Sequence, residues 1–85
     1  MKRSRLEIYV DVLQVIDGGC HKPTSIMYKS NLSWIPLREV LNSLTSQGAV
    51  TVKNTGRRRE YYITEKGREI LKHYERLRSM LTEKI

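Results

Sequence analysis

One cysteine, Cys20, is all the cysteine the chain has. No intrachain disulfide can form from it and a four-cysteine zinc site is excluded, which fits a reducing cytoplasm. In its loop position the thiol is expected to be buried or idle. Long apolar runs are also missing. The basic start MKRSRLEIYVDVLQV opens like a signal peptide, but Glu7 and Asp11 interrupt what would have to be its apolar stretch. Nothing approaches the roughly 18 apolar residues that a membrane span needs. His21 and His73 belong to no recognisable catalytic or metal motif. Cys20-His21 lacks a second pair at ligand spacing. Neither a phosphate-cradling glycine motif nor an internal repeat occurs. These absences argue against an enzyme, and no cofactor or metal is expected.

What is present is positive charge. Sixteen Lys and Arg stand against nine Asp and Glu, a net charge of +7 with a pI near 9.9. Such an excess attracts polyanions, nucleic acid first among them, although an acidic membrane surface or protein fits charge alone equally well. Apolar residues at 39% and charged residues at 29% are ordinary for a globular chain and exclude a disordered one. Eighty-five residues make one small domain, 1–85, with no linker. A domain of this size buries only about 60–65% of its unfolded surface, so pairing with a second copy would help it.

Ser4-Arg5-Leu6-Glu7 has the form of a capping box. Leu6, Tyr9, Val10, Leu13 and Ile16 then recur at helical spacing, flanked by Ile8, Val12 and Val15. A helix apolar over so much of its girth is central to a fold or shared with another subunit. Gly18-Gly19 should end it. Pro23 suits the first turn of a second, short helix, and Asn31 can take the left-handed conformation of a tight corner. Ser33 should cap a third helix, with Pro36 still in its first turn, a buried stripe of Leu37, Val40, Leu41 and Leu44, and Gly48 at its close. Two helices joined by a short corner outline a helix-turn-helix, about residues 24–48.

The period then changes to two. Val50 and Val52 point one way in the first run, and Tyr61 and Ile63 do so in the second. Asn54-Thr55-Gly56-Arg57 between them is a turn-forming cluster, so a hairpin is expected over 49–64. Thr64 should cap a last helix over 65–83, with Gly67 in its first turn letting it approach the strands closely. Its stripe is Ile70, Tyr74, Leu77 and Leu81, with Leu71 and Met80 at the flanks. The steps of four, three and four match a coiled-coil seam over about two heptads. Tyr74, Leu77 and Leu81 are therefore expected to join two copies of the chain, helix 1 adding to the interface.

The order helix, helix, helix, hairpin, helix resembles a winged-helix domain of the archaeal transcriptional-regulator type, an α+β fold. The likeness rests on the helix-turn-helix from Thr24 to Gly48 and on YYITEKGREIL, Tyr61 to Leu71, with its Tyr-x-aliphatic-Thr-x-x-Gly pattern. SIMYKSNLSW is similar, more narrowly, to small archaeal DNA-binding proteins that dimerise through a C-terminal helix. The resemblance spans roughly residues 4–82. It implies double-stranded DNA as the partner, a homodimer, and a cytoplasmic, nucleoid-associated protein acting as a transcriptional regulator or chromatin component.

Helix 3 is the recognition-helix candidate. Its face opposite the buried stripe carries Ile35, Glu39, Asn42 and Ser46, bordered by Arg38 and Ser43. Asn can read adenine, Arg can read guanine or hold phosphate, and an exposed Ile can touch a thymine methyl. Glu39 repels phosphates unless it accepts from cytosine or pairs with a neighbouring Arg. Ser33 and Trp34 stand at the helix start, where free N–H groups meet phosphates, although rotation puts the Trp34 ring toward the core edge, where packing is expected. Basic residues fall into an N-terminal arm (Lys2, Arg3, Arg5), the wing (Lys53, Arg57, Arg58, Arg59) and the helix-turn-helix (Lys22, Lys29, Arg38). Within the wing Arg57 and Arg58 flank the tip and Arg59 shares the side of Tyr61. In the last helix Glu65, Glu69 and Glu75 precede Arg68, Lys72 and Arg78 by three, as intrahelical pairs do. The sequence leaves two readings open: a duplex-DNA binder, sequence-specific or weakly so, and a winged-helix protein-interaction module that does not bind DNA.

Overall fold

The computed structural model describes residues 3–82, so Lys2 of the basic arm and Glu83 at the expected helix end lie outside the described residues. The order is α1 (Arg5–Asp17), α2 (Pro23–Ser30), α3 (Trp34–Ser46), β1 (Val50–Thr55), β2 (Arg58–Ile63) and α4 (Glu65–Thr82). This is the winged-helix fold expected from the pattern.

Helix α1 begins with the capping box: Glu7 N–H donates to Ser4 Oγ at 3.1 Å and Ser4 N–H donates to Glu7 Oε1 at 2.9 Å. The Ser4 backbone N–H, and after it the Ser4 hydroxyl, hold the Glu7 carboxyl below its ordinary range. α1 is central: it packs against α2, α3, α4 and β2. Val12, expected at the edge of its stripe, is fully buried with Val10, Leu13 and Ile16. Leu6, placed in the stripe, is instead 58% exposed in the first turn of the helix.

Helices α1, α2 and α3 close in the same way. The left-handed residues are Gly19, Asn31 and Gly48, and the next residue donates its N–H to a carbonyl five positions back: Cys20 to Val15, Leu32 to Met27, Ala49 to Leu44. Gly18, expected to share this role, stays right-handed. Ser33 occupies the N-cap position of α3, but its side chain makes no capping hydrogen bond.

The strands of the hairpin run closer to its tip than the sequence suggests. Asn54 and Thr55 pair within β1 and Arg58 within β2, in a register running from Val50↔Ile63 to Thr55↔Arg58. Only Gly56 and Arg57 form the turn, with Gly56 at φ +61°, the demand of a two-residue turn whose first member is glycine. Tyr61 is buried and Ile63 packs beside it against the core.

Two junctions hold this small body together. Arg3, expected in a free basic arm, donates to Asp11 at 2.9 Å and to the carbonyls of Ser30 (2.8 Å) and Asn31 (3.2 Å). It ties the start of α1 to the last carbonyls of α2, where a cation is favoured. At the second junction Thr64 Oγ1 accepts from Gly67 N–H (3.1 Å) and donates to Gly48 O (2.6 Å), so it caps α4 and binds the end of α3 at once. Gly67 is buried there. A Cβ at that position would lie 2.6 Å from Ile63 Cγ1 and closer still to the carbonyl oxygen of Ala49.

Helix α4 divides in two. Leu71, expected at the flank, is its buried apolar residue, while Ile70 and Tyr74 pack against the core edge. Of the three intrahelical pairs expected, Glu75–Arg78 forms at 3.6 Å, whereas Arg68 reaches across to Asp17 of α1 at 3.6 Å. Cross-helix pairing wins at Arg68 because α1 and α4 are in contact there. Among the described residues no helix is long and apolar enough to cross a membrane.

The Gly67 contact yields a direct expectation. Gly67→Ala should destabilise the fold by about 1–3 kcal/mol despite alanine's better helix propensity, since the obstacle is backbone carbonyl. Urea denaturation followed by circular dichroism measures it; a stability equal to or above the parent's would show that α4 can retreat at no cost.

Candidate nucleic-acid interface

Helix α3 and the β1–β2 hairpin face each other across a cleft. The α3 wall is a row at four-residue spacing, Trp34, Arg38 and Asn42; the wing wall carries Asn54, Gly56 and the triplet Arg57, Arg58 and Arg59. Pro23, at the first turn of α2, closes one end and Tyr61 the inner side. Of the charged residues here, all four are arginines, and among the described residues none of them pairs with a carboxylate.

The position of each arginine follows from strand alternation. Arg59 shares the inner face with Val52, Asn54 and Tyr61, and it stands over the second half of α3 beside Asn42, Thr45 and Ser46. Arg58 points to the other side of the ribbon, toward Lys22, Pro23 and Thr24. Arg57 is in the turn itself. Trp34, expected to pack on the core, is 43% exposed on the cleft wall. Its place as the first residue of α3 explains this: the core begins one turn later, at fully buried Leu37.

The remaining site candidates lie outside this cleft. Ile35 is 61% exposed on the outermost face of α3, and Ser33 is exposed at its start. Glu39 lines a different groove, with Arg5, Ile8, Tyr9, Pro36 and Val40, on the α1 side of the recognition helix. Lys29 belongs to the last turn of α2, beside Arg3, Asp11 and Asn31. Lys53 is on the outer face of the wing, its ammonium 4.8 Å from the centroid of the Tyr62 ring.

That outer face has a structure the sequence did not suggest. His21, from the loop before α2, stacks on Tyr62 with ring centroids 4.1 Å apart. Its carbonyl accepts from Tyr61 N–H at 2.8 Å, and its Nδ1 lies 2.9 Å from the Tyr61 carbonyl oxygen. A carbonyl can only accept, so Nδ1 carries the proton. The loop thus covers the free edge of β2, which otherwise presents unpaired groups to solvent. The Tyr62 hydroxyl donates to Glu60 Oε1 at 2.8 Å. Glu60 therefore raises the phenol's pKa, because the bond favours the protonated ring and the carboxylate disfavours a phenolate. Pro23 and Asn54 were also missed as cleft residues. The signal for Asn54 was present, since it continues the Val50–Val52 alternation, but asparagine before Thr-Gly reads as a turn.

The architecture has relatives. A family model described as winged helix-turn-helix matches residues 2–82. The chain belongs to that family. An uncharacterized protein of Methanocaldococcus jannaschii is 32% identical over 69 residues, covering 81% of this chain and 67% of its own length. Among solved structures, Sso10a-2, a DNA-binding protein from Sulfolobus solfataricus, superposes with a TM-score of 0.83 at 26% identity over 95% of this chain and 84% of that one. F93 from STIV, a winged-helix DNA-binding protein, reaches 0.75 at 16% identity over 95% and 96% of the two chains, a likeness of fold. In this winged helix-turn-helix chain α3 is the recognition-helix position and β1–β2 the wing.

Replacing Glu60 by Gln should move the Tyr62 midpoint down toward the ordinary tyrosine range. The hydrogen bond of the neutral phenol is present below that midpoint and is lost as pH rises through it. An NMR titration of the tyrosine rings reads this directly, and an unmoved Tyr62 would remove Glu60 as the cause.

Proposed function

We propose that this protein binds double-stranded DNA through the face that carries the cleft, as a homodimer acting in transcriptional regulation or in chromatin within the cytoplasm. The observation that carries the reading is the charge of that face: four arginines, on two elements, with no carboxylate among the cleft residues. A basic cleft beside an exposed helix fits a duplex in both respects. Phosphates are held by charge, and base edges are read by side chains on the helix. Arg38 and Asn42 are the reading candidates, for guanine and adenine, with Ile35 offering contact to a thymine methyl. Arg57, Arg58 and Arg59 reach for the backbone, with Lys53 on the outer wing and Lys29 in the last turn of α2 as outlying phosphate contacts. Ser33 brings the N-terminal end of α3 to a phosphate. Glu39, on the opposite side of α3, discriminates against backbone approach there and can accept from cytosine. Sso10a-2, a DNA-binding protein at 26% identity, supports the same reading.

Pairing of two copies is inferred from the far half of α4. Leu77 is 55% exposed, Met80 62% and Leu81 73%, on a helix whose near half is already packed at Leu71 and Tyr74. A seam of Tyr74, Leu77 and Leu81 against its own copy would cover them. It would set two recognition helices and two wings at a fixed spacing along the duplex.

Two measurements test this reading. Replacing Arg57 and Arg58 together by Ala should weaken binding to all duplexes alike and flatten the dependence of log K on log salt by about 1–2 units, the fold being unchanged. Anisotropy titrations with random and genomic duplexes at two salt concentrations give the slope. No duplex binding at low salt would favour the protein-interaction module instead. Leu77→Glu should give a monomer by light scattering; a dimer that survives it would place the seam elsewhere.

A further inference from the structure

The only tryptophan of the chain sits where neither the core nor a phosphate calls for one. Trp34 is 43% exposed on the wall of the cleft between α3 and the wing. With Arg38 and Asn42 it forms a row whose members are about 6 Å apart along the helix axis. Across from that row stand Arg57, Arg58 and Arg59. The cleft between has a volume of about 420 Å³, within the range of clefts that take small planar ligands.

Phosphate contact needs charge and N–H donors, and four guanidinium groups supply both. The face of an indole left in water among them is apolar surface that no phosphate covers. A nucleobase covers it well, because every base has a flat π-face and its own phosphate then falls among the arginines. In a duplex both faces of each base are already stacked on neighbours, so an indole there meets only sugars and groove edges. The absence of carboxylates from the cleft walls favours a polyanion and disfavours a cationic or neutral peptide.

We infer that this cleft binds single-stranded DNA by stacking one unpaired base on Trp34. The arginines of both walls hold the flanking phosphates. The amides of Asn42 and Asn54, on opposite walls, offer a donor and an acceptor to the base edge. This activity shares the arginines proposed for duplex binding and adds a base contact on Trp34 that duplex binding does not make.

The test uses the whole chain and four probes: a short oligothymidylate, a duplex of equal length, an oligouridylate, and inorganic polyphosphate of matched charge. With one tryptophan present, quenching of fluorescence excited at the red edge of the indole band, beyond tyrosine absorption, reports on Trp34 alone. Oligothymidylate should quench it and polyphosphate should not. Trp34→Ala should weaken oligothymidylate binding on the order of 10-fold, Trp34→Phe should retain most of it, and duplex affinity should change by less than about 2-fold. Circular dichroism checks that each variant folds; should Trp34→Ala not fold, quenching of the unmutated chain and the Trp34→Phe affinity still decide. Equal quenching by polyphosphate would overturn the proposal. So would an equal loss of duplex and single-strand affinity in Trp34→Ala, which would make Trp34 part of the duplex interface. Oligouridylate bound far more tightly than oligothymidylate would overturn the assignment to DNA.

Discussion

The fold depends on the place where Gly48, Ala49, Thr64 and Gly67 meet. Here the end of α3, the two ends of the hairpin and the start of α4 come together within a few residues. Thr64 N–H donates to Ala49 O at 3.0 Å, and its hydroxyl bridges Gly48 O and Gly67 N–H. Lys66 Nζ adds a bond to Gln47 O at 2.6 Å. Both strands leave this one point, so the angle of the wing against α3 is fixed at the base. The tip is free of the core, yet it lies six paired positions from that base, from Val50↔Ile63 to Thr55↔Arg58. An isolated two-stranded hairpin is marginal in water. This one is stabilised by Tyr61 in the core on one face and by the His21 loop along its free edge. The width of the cleft, and with it any use of the cleft, rests on those anchors.

Much of this was legible in the sequence, for physical reasons that can be stated. Helix ends were readable because they are set by local chemistry: a capping box at Ser4, and left-handed residues at Asn31 and Gly48. Gly67 was readable because glycine in a first helical turn after a strand has few reasons to be there other than close approach. Leu37, Val40, Leu41 and Leu44 are buried as their spacing requires.

Other features depend on distance between elements, which periodicity does not carry. Leu6 has the right angle on α1 but lies in its exposed first turn. Trp34 lies toward the core edge by rotation, but its turn of α3 precedes the core. Arg3 reads as a loose cation until α2 brings two carbonyls and Asp11 within its reach. Arg68 finds Asp17 in place of Glu65 for the same reason. The candidate site divides along the same line. The cleft gathers Trp34, Arg38, Asn42 and Arg59 on faces that rotation or alternation defines, with Arg57 and Arg58 reaching it from the tip. Lys53 is on the opposite face of its own strand, its ammonium over the Tyr62 ring on which His21 stacks.

The distribution of acids matters more than the net charge. At about 0.1 M salt a surface charge is screened beyond roughly 10 Å, so a polyanion responds to the local arrangement and not to the sum over the chain. Asp11 is engaged by Arg3, Asp17 by Arg68, Glu75 by Arg78, and Glu7 by the α1 cap. Glu60 accepts from Tyr62 on the outer wing, and Glu39 is on the α1 side of α3. Each of these carboxylates is spent on a structural contact or turned from the cleft, and the arginines of the cleft are left uncompensated at short range. The same segregation serves folding. Acids used within the body offset part of the self-repulsion that a charge of +7 imposes on a chain this small. The cleft is where that repulsion is tolerated, and a bound polyanion would relieve it. The wing arginines contribute nothing to the core and stand close together only because the hairpin brings them there.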